Sequence, residues 1–215
     1  MKMKKGLRSH ITVQKLLQLK VVAVIRGGSD LEAVEFARSA FKGGIVAIEM
    51  TATTPNFINA LSQFKKEFPT ALLGLGTVLN KKGALTAIKK CQVDFIVSPC
   101  YVEEVAKVCS KKDVLYIPGC MSVKEIYDAT KKFHHPIVKL FPSNLLTPNF
   151  IASIKNLLPN ISFMPTGGID KTNCMEWFKA GAKIIALGGN LTGQKDLNQI
   201  KQDASEIVEM VKSFN

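Results

Sequence analysis

A rhythm in the apolar residues limits what this chain can fold into. Short β-rich runs recur about every 20 to 25 residues: Val21–Arg26, Val46–Thr51, Leu72–Val78, Phe95–Pro99, Leu115–Gly119, Ile137–Pro142, Ser162–Gly167 and Ile184–Gly189. Helical spacing fills the gaps. Leu31, Val34, Phe36, Ala37, Ala40 and Phe41 follow Ser29 or Asp30, either of which can cap a helix; Ile126, Ala129 and Phe133 follow Ser122; Ile200, Ile207, Val208 and Val211 share one side of a last helix near 198–214. Strands alternating with helices pair in parallel through right-handed crossovers. A closed (β/α)8 barrel and an open doubly wound sheet both satisfy that pattern. Eight runs, with glycine loops after the last two, favour a single (β/α)8 TIM barrel spanning residues 1–215, with a short helical extension over about residues 1–20.

Composition narrows the class. With 215 residues, 47% apolar and 21% charged, the chain suits one globular domain. No run approaches the roughly 20 apolar residues that cross a bilayer, and the basic start has no apolar segment of a secretion signal after it. Five cysteines, odd in number and without a C-x-x-C pair, suit free thiols in a reducing compartment, so a cytoplasmic location is expected. The formal charge of +12 comes partly from Lys-Lys pairs at 4–5, 65–66, 81–82, 89–90, 111–112 and 131–132. They are dispersed and not interleaved with aromatics, so solvated helix faces are expected, with neither nucleic acid nor membrane as partner.

Two residues break the strand pattern. Lys139 lies inside Ile137-Val138-Lys139-Leu140-Phe141; either it snorkels from a strand edge or it points inward and loses hydration. A dehydrated lysine favours its uncharged form, which is what attack on a ketone requires. Glu49, between Ala47 and Thr51 on one face of its run, is costly to bury unless paired or protonated. An inward lysine would give it a partner, as a structural ion pair or as a catalytic one. Arg26 and Thr77 end the first and third runs, where barrel chemistry occurs; alternatively they are ordinary surface or cap residues. Gly167–Gly168 and Gly188–Gly189 follow the seventh and eighth runs, as phosphate loops or as plain tight turns. The three histidines show no metal-ligand spacing, and neither a metal nor a cofactor is expected.

The motifs VVAVIRG, GGIVAIEMT, GLGTVLN, FIVSPC, YIPGCM, VKLFPS, MPTGGI and LGGN, in this order, resemble the bacterial 2-keto-3-deoxy-6-phosphogluconate (KDPG)/4-hydroxy-2-oxoglutarate (KHG) aldolases from Val21 to about Asn190. The resemblance implies a class I lyase that releases pyruvate from a phosphorylated keto acid, works in carbohydrate metabolism of the Entner-Doudoroff type, and assembles as a homotrimer. It implies Lys139 as the Schiff-base residue and Glu49 as proton acceptor and donor. It also implies substrate contacts from Thr51, Thr77, Pro99, Phe141, Ser143 and Thr166, and a phosphate held by Gly167, Gly168, Gly188 and Gly189. Many members carry an arginine where Thr53 stands, so Arg26 is expected to supply the cation for the pyruvate carboxylate. Asn144 replaces a glutamate frequent after the lysine motif, and Ser143 is similar to the phosphogalactonate aldolases. The rival activities are therefore 6-phospho-2-keto-3-deoxygalactonate cleavage, a sugar-phosphate isomerase or decarboxylase, and a non-catalytic phosphate-binding barrel.

Overall fold

The computed structural model describes residues 6–214, Lys132 by its backbone alone. The start of the expected N-terminal extension, residues 1–5, lies outside the described residues. Among the described residues nine strands form: β1 (Val21–Ile25), β2 (Ala47–Thr51), β3 (Leu72–Gly76), β4 (Phe95–Val97), β5 (Leu115–Ile117), β6 (Gly119–Cys120), β7 (Ile137–Leu140), β8 (Ser162–Pro165) and β9 (Ile185–Leu187). All their pairings are parallel. The α/β character expected from the sequence is therefore present.

The strands divide into two sets. One sheet runs β5-β4-β3-β2-β1-β9 and curls into half a barrel; the other runs β6-β7-β8. The fifth apolar run, expected as one strand, is split at Pro118, which has no N–H to give to a ladder. An isolated parallel bridge joins Thr166 to Ala186 beyond the end of β8, and the Lys139 N–H donates to the carbonyl of Pro118.

Helices cover the outer faces. The expected caps form: Ser29 accepts from the Glu32 N–H ahead of α2 (Asp30–Lys42), and Ser122 with Glu125 makes a reciprocal capping box. After the Gly167–Gly168 loop the next helix begins only at Cys174 (Cys174–Ala180), because the Asp170 carboxylate binds the Thr172 N–H and hydroxyl and closes a turn of its own. The last helix is Leu197–Ser213. Among the described residues no helix is long and apolar enough to cross a membrane.

Alternation along the strands creates two separate apolar clusters. The larger packs outward-facing residues such as Ala23, Ile48 and Leu73 against the helices. The smaller gathers the opposite positions, Val22, Ala47, Leu72, Phe95, Leu115, Ile137, Met164 and Ile184, into the space between the two sheets. Helix α1 (Leu7–Leu19) closes this space from below: Val13 and Leu16 join the inner cluster, and the Asp113 carboxylate accepts from the N–H groups of Arg8 and Ser9 at the exposed helix start. The N-terminal ends of the strands are thereby plugged.

Candidate active site

The inner cluster stops one pleat below two charged side chains. Glu49, two residues beyond Ala47 on the same face of β2, is 0% exposed; Lys139, two beyond Ile137 on β7, is 5% exposed. Lys139 Nζ stands 3.7 Å from Glu49 Oε1, an ion-pair contact too long for a hydrogen bond. Neither carboxylate oxygen of Glu49 has a hydrogen-bond partner among the described residues. Burial pushes the Glu49 carboxyl above its ordinary range, and the neighbouring Lys139 only partly opposes this. Lys139 Nζ also lies 5.1 Å from the centre of the Phe141 ring. Of the two orientations open from sequence, the lysine takes the inward one.

Glycine makes the pair possible, and sequence reading missed how. A Cβ on Gly76 would sit 1.9 Å from Glu49 Oε1 and 2.6 Å from its Cδ. Strand β3 must therefore be bare at this point for the carboxylate to fit beside it. One pleat lower, a Cβ on Gly74 would lie 2.3 Å from the Phe95 ring. A Cβ on Gly119, in register with Lys139, would lie 2.1 Å from the Pro99 carbonyl oxygen. The signal available in the sequence was the repeated Gly-x-Gly inside an apolar strand, which marks close approach by a neighbour.

The other expected residues surround the C-terminal ends of the parallel strands. Thr51, two residues above Glu49 and 1% exposed, shares hydroxyl contacts with Thr53 at 3.0 Å and Thr54 at 3.4 Å. Thr54 accepts from the Gly27 N–H, tying the β2 loop to the β1 loop that carries Arg26. Arg26 lies just past β1, exposed and without an ion-pair partner among the described residues. Thr77 follows Gly76 at φ 58°, a left-handed conformation that costs a β-branched residue about 1–3 kcal/mol. Pro99 follows β4, half-buried.

Ser143 and Thr166 are occupied with each other. The Ser143 N–H donates to the Thr166 carbonyl, and the Ser143 hydroxyl accepts from the Thr166 N–H, both at 2.9 Å. The same hydroxyl donates to the Leu140 carbonyl. This clamp holds the glycine loop that follows. Gly167 and Gly168 have φ of 97° and 76°, a conformation that suits glycine, and neither N–H donates to another described residue. Asn190, after Gly188–Gly189, donates to the Asp170 carboxylate, linking the two glycine loops.

The family profile "KDPG and KHG aldolase" matches residues 12–210. The 2-dehydro-3-deoxy-phosphogluconate aldolase of Treponema pallidum is 32% identical over 182 residues, 84% of this chain and 85% of that protein. The 2-dehydro-3-deoxy-6-phosphogalactonate aldolase of Escherichia coli K12 is 26% identical over 201 residues, 92% of this chain and 95% of the other. Among solved structures, the KDPG aldolase of Legionella pneumophila, with pyruvate captured as a covalent carbinolamine, shares the fold at a TM-score of 0.79 and 24% identity, over 98% of both chains. The chain belongs to the KDPG and KHG aldolase family of lyases.

Proposed function

We propose that the chain is a Schiff-base aldolase that cleaves 2-keto-3-deoxy-6-phosphogluconate to pyruvate and glyceraldehyde 3-phosphate, and also 4-hydroxy-2-oxoglutarate to pyruvate and glyoxylate. The observation that carries this reading is the buried Lys139–Glu49 pair, in which neither carboxylate oxygen has a hydrogen-bond partner among the described residues. A buried ion pair adds little net stability, so its persistence at the open end of the strands favours a chemical use.

The amine of Lys139, in its uncharged form, attacks the C2 ketone to give a carbinolamine. Glu49, held above its ordinary range by burial, gives a proton to the departing hydroxyl, and water leaves. The resulting iminium draws the electrons of the C3–C4 bond as Glu49, directly or through water, takes the C4 hydroxyl proton. The aldehyde departs and an enamine of pyruvate remains. Protonation at C3 and hydrolysis return the amine and free pyruvate. Arg26 pairs with the pyruvate carboxylate, the Thr51 and Thr77 hydroxyls and the Phe141 and Pro99 walls shape the pocket, and Gly167, Gly168, Gly188 and Gly189 hold the phosphate through backbone N–H groups.

The same proposal includes one domain closed as an eight-stranded barrel, with β5 and β6 acting as a single interrupted strand; the Thr166–Ala186 bridge supports closure on one side. Its assembly is a homotrimer, for which a solution molar mass is the check. A second substrate is supported by the Escherichia coli relative, which is a 2-dehydro-3-deoxy-6-phosphogalactonate aldolase. Pyruvate release from the two C4-epimeric phosphorylated keto acids, followed by a coupled reduction, tests the assignment. Faster turnover of the gluconate form supports it; faster turnover of the galactonate form transfers the assignment to the epimer; no pyruvate from either refutes it.

A further inference from the structure

Thr77 is held in a left-handed backbone conformation that β-branched residues avoid, and such strain persists only where the surrounding structure fixes it. The peptides on both sides of it are fixed. The Gly76 carbonyl accepts from the Ala52 N–H at 2.8 Å, and the Val78 N–H donates to the Val97 carbonyl at 3.1 Å. A further bond secures the turn from within. The hydroxyl of Ser98, a side chain 0% exposed just past β4, donates to the Val78 carbonyl at 2.6 Å. No other described residue donates to that carbonyl. Ser98 is anchored in turn, its N–H donating to the Ile117 carbonyl of β5. The Thr77 hydroxyl, by contrast, makes no hydrogen bond to any described residue, and its side chain is half-buried. The turn therefore spends three hydrogen bonds on holding a strained residue whose own polar group does nothing for the fold.

We infer that Ser98 is a positioning residue: its buried hydroxyl holds the turn after β3 so that the free Thr77 hydroxyl is kept for the keto-acid end of the substrate. This rests on the place given to Thr77 in the reading above. Ser98 acts only through Thr77, because a serine hydroxyl has one proton to donate and Val78 receives it. Without that bond the buried Val78 carbonyl loses its donor, which is costly. The turn escapes this cost by rotating the carbonyl toward water, and Thr77 relaxes out of its left-handed conformation with it. Lys139 and Glu49 lie on other strands, so the loss falls on binding and leaves the chemistry of the amine in place.

The experiment measures KM and kcat for the keto acid, and inhibition by pyruvate, in the wild type, Ser98→Ala, Ser98→Cys, Thr77→Val and the double variant Ser98→Ala/Thr77→Val. In Ser98→Ala, KM and the pyruvate inhibition constant should both rise by about tenfold, the scale of one lost hydrogen bond, while kcat changes far less. Ser98→Cys, whose thiol is a weak donor, should fall between serine and alanine. It also carries the test should Ser98→Ala fail to fold. Thr77→Val should raise the same two constants, and adding Ser98→Ala to it should raise them no further. Multiplied losses in the double variant would show that Ser98 does not work through Thr77 and overturn the inference. So would a cysteine variant worse than alanine, which reports crowding instead of a missing donor, or a loss confined to kcat. Unchanged constants in Thr77→Val overturn both this role and the place of Thr77 at the substrate. Pyruvate trapping on Lys139 reports on the amine independently.

Discussion

Lys139 and Glu49 meet at 3.7 Å although their strands belong to different sheets, β7 to the three-stranded set and β2 to the six-stranded one. The contact therefore spans the enclosed interior instead of a strand ladder. Neither residue gains its partner from local sequence; the fold as a whole brings them together. Removing either one leaves the other buried without a counter-charge, which is the costly case for such pairs.

The two residues should fail differently. Lys139→Met removes the nucleophile, so cleavage is expected to vanish and pyruvate to leave no adduct. Glu49→Gln keeps the nucleophile and removes the proton carrier, so kcat should fall by about 10²–10⁴-fold while slow adduct formation continues. Single-turnover kinetics with mass detection of the protein distinguishes the two. Equal residual activity in both variants would contradict the division of labour.

Gly76→Ala should damage catalysis without touching a polar group. The added methyl overlaps the Glu49 carboxylate, and overpacking of this kind typically costs about 1–3 kcal/mol. Activity should drop by at least the factor seen for Glu49→Gln. Glu49→Ala in the Gly76→Ala background should recover much of the lost stability and none of the activity. A double-mutant cycle of unfolding free energies measures the coupling. Additive effects would show that the two positions do not compete for space.

Stability should decline with rising pH because of Glu49. Its native pKa lies above the ordinary 4.5, so over the interval between them the folded chain binds more protons than the unfolded chain. The contribution is complete below the unfolded value and is lost as pH rises through the native one. Glu49→Gln should flatten this slope, which urea midpoints from mild acid to neutrality would reveal. An unchanged slope in the variant would remove Glu49 as its source.

His135 should act with the opposite sign. Burial lowers its pKa from 6.5 to about 4, and its Nε2 is buried without a partner. As pH falls from 6.5 toward 4 the unfolded chain takes up the proton first, so stability drops over that window. The ring packs edge-on to Tyr116, with centroids 5.2 Å apart, so phenylalanine can fill the space. His135→Phe should resist mild acid better than the wild type in a thermal melt series; equal acid sensitivity would contradict this.

Arg26→Ala should raise KM for the keto acid by about tenfold, the scale of one charge-assisted contact, with a smaller change in kcat. Arg26→Lys should recover part of the loss. An unaltered KM would place the carboxylate elsewhere.

The fold was legible in the sequence wherever periodicity spoke alone. The period-two runs and the caps at Ser29 and Ser122 marked strands and helices; for Lys139 the pattern left an edge or an inward position open, and the fold takes the inward one. Two features escaped. Pro118 divides the fifth run because a missing N–H interrupts a ladder without altering hydropathy. Gly76 reads in sequence only as one of two glycines inside an apolar strand run, whereas its purpose depends on a carboxylate two strand positions away on β2. Ser143 was expected at the substrate; its hydroxyl donates locally to the Leu140 carbonyl and accepts from the Thr166 N–H, the second a bond that exists only because β8 lies beside β7.

The central claim is that the Lys139 amine forms the covalent bond to the substrate. Incubation with pyruvate and sodium borohydride, then peptide mass spectrometry, tests it most directly. The account predicts one reduced pyruvate adduct, on Lys139, absent from Lys139→Met and formed slowly in Glu49→Gln. An adduct on any other lysine, or none while the enzyme still turns over, would contradict it.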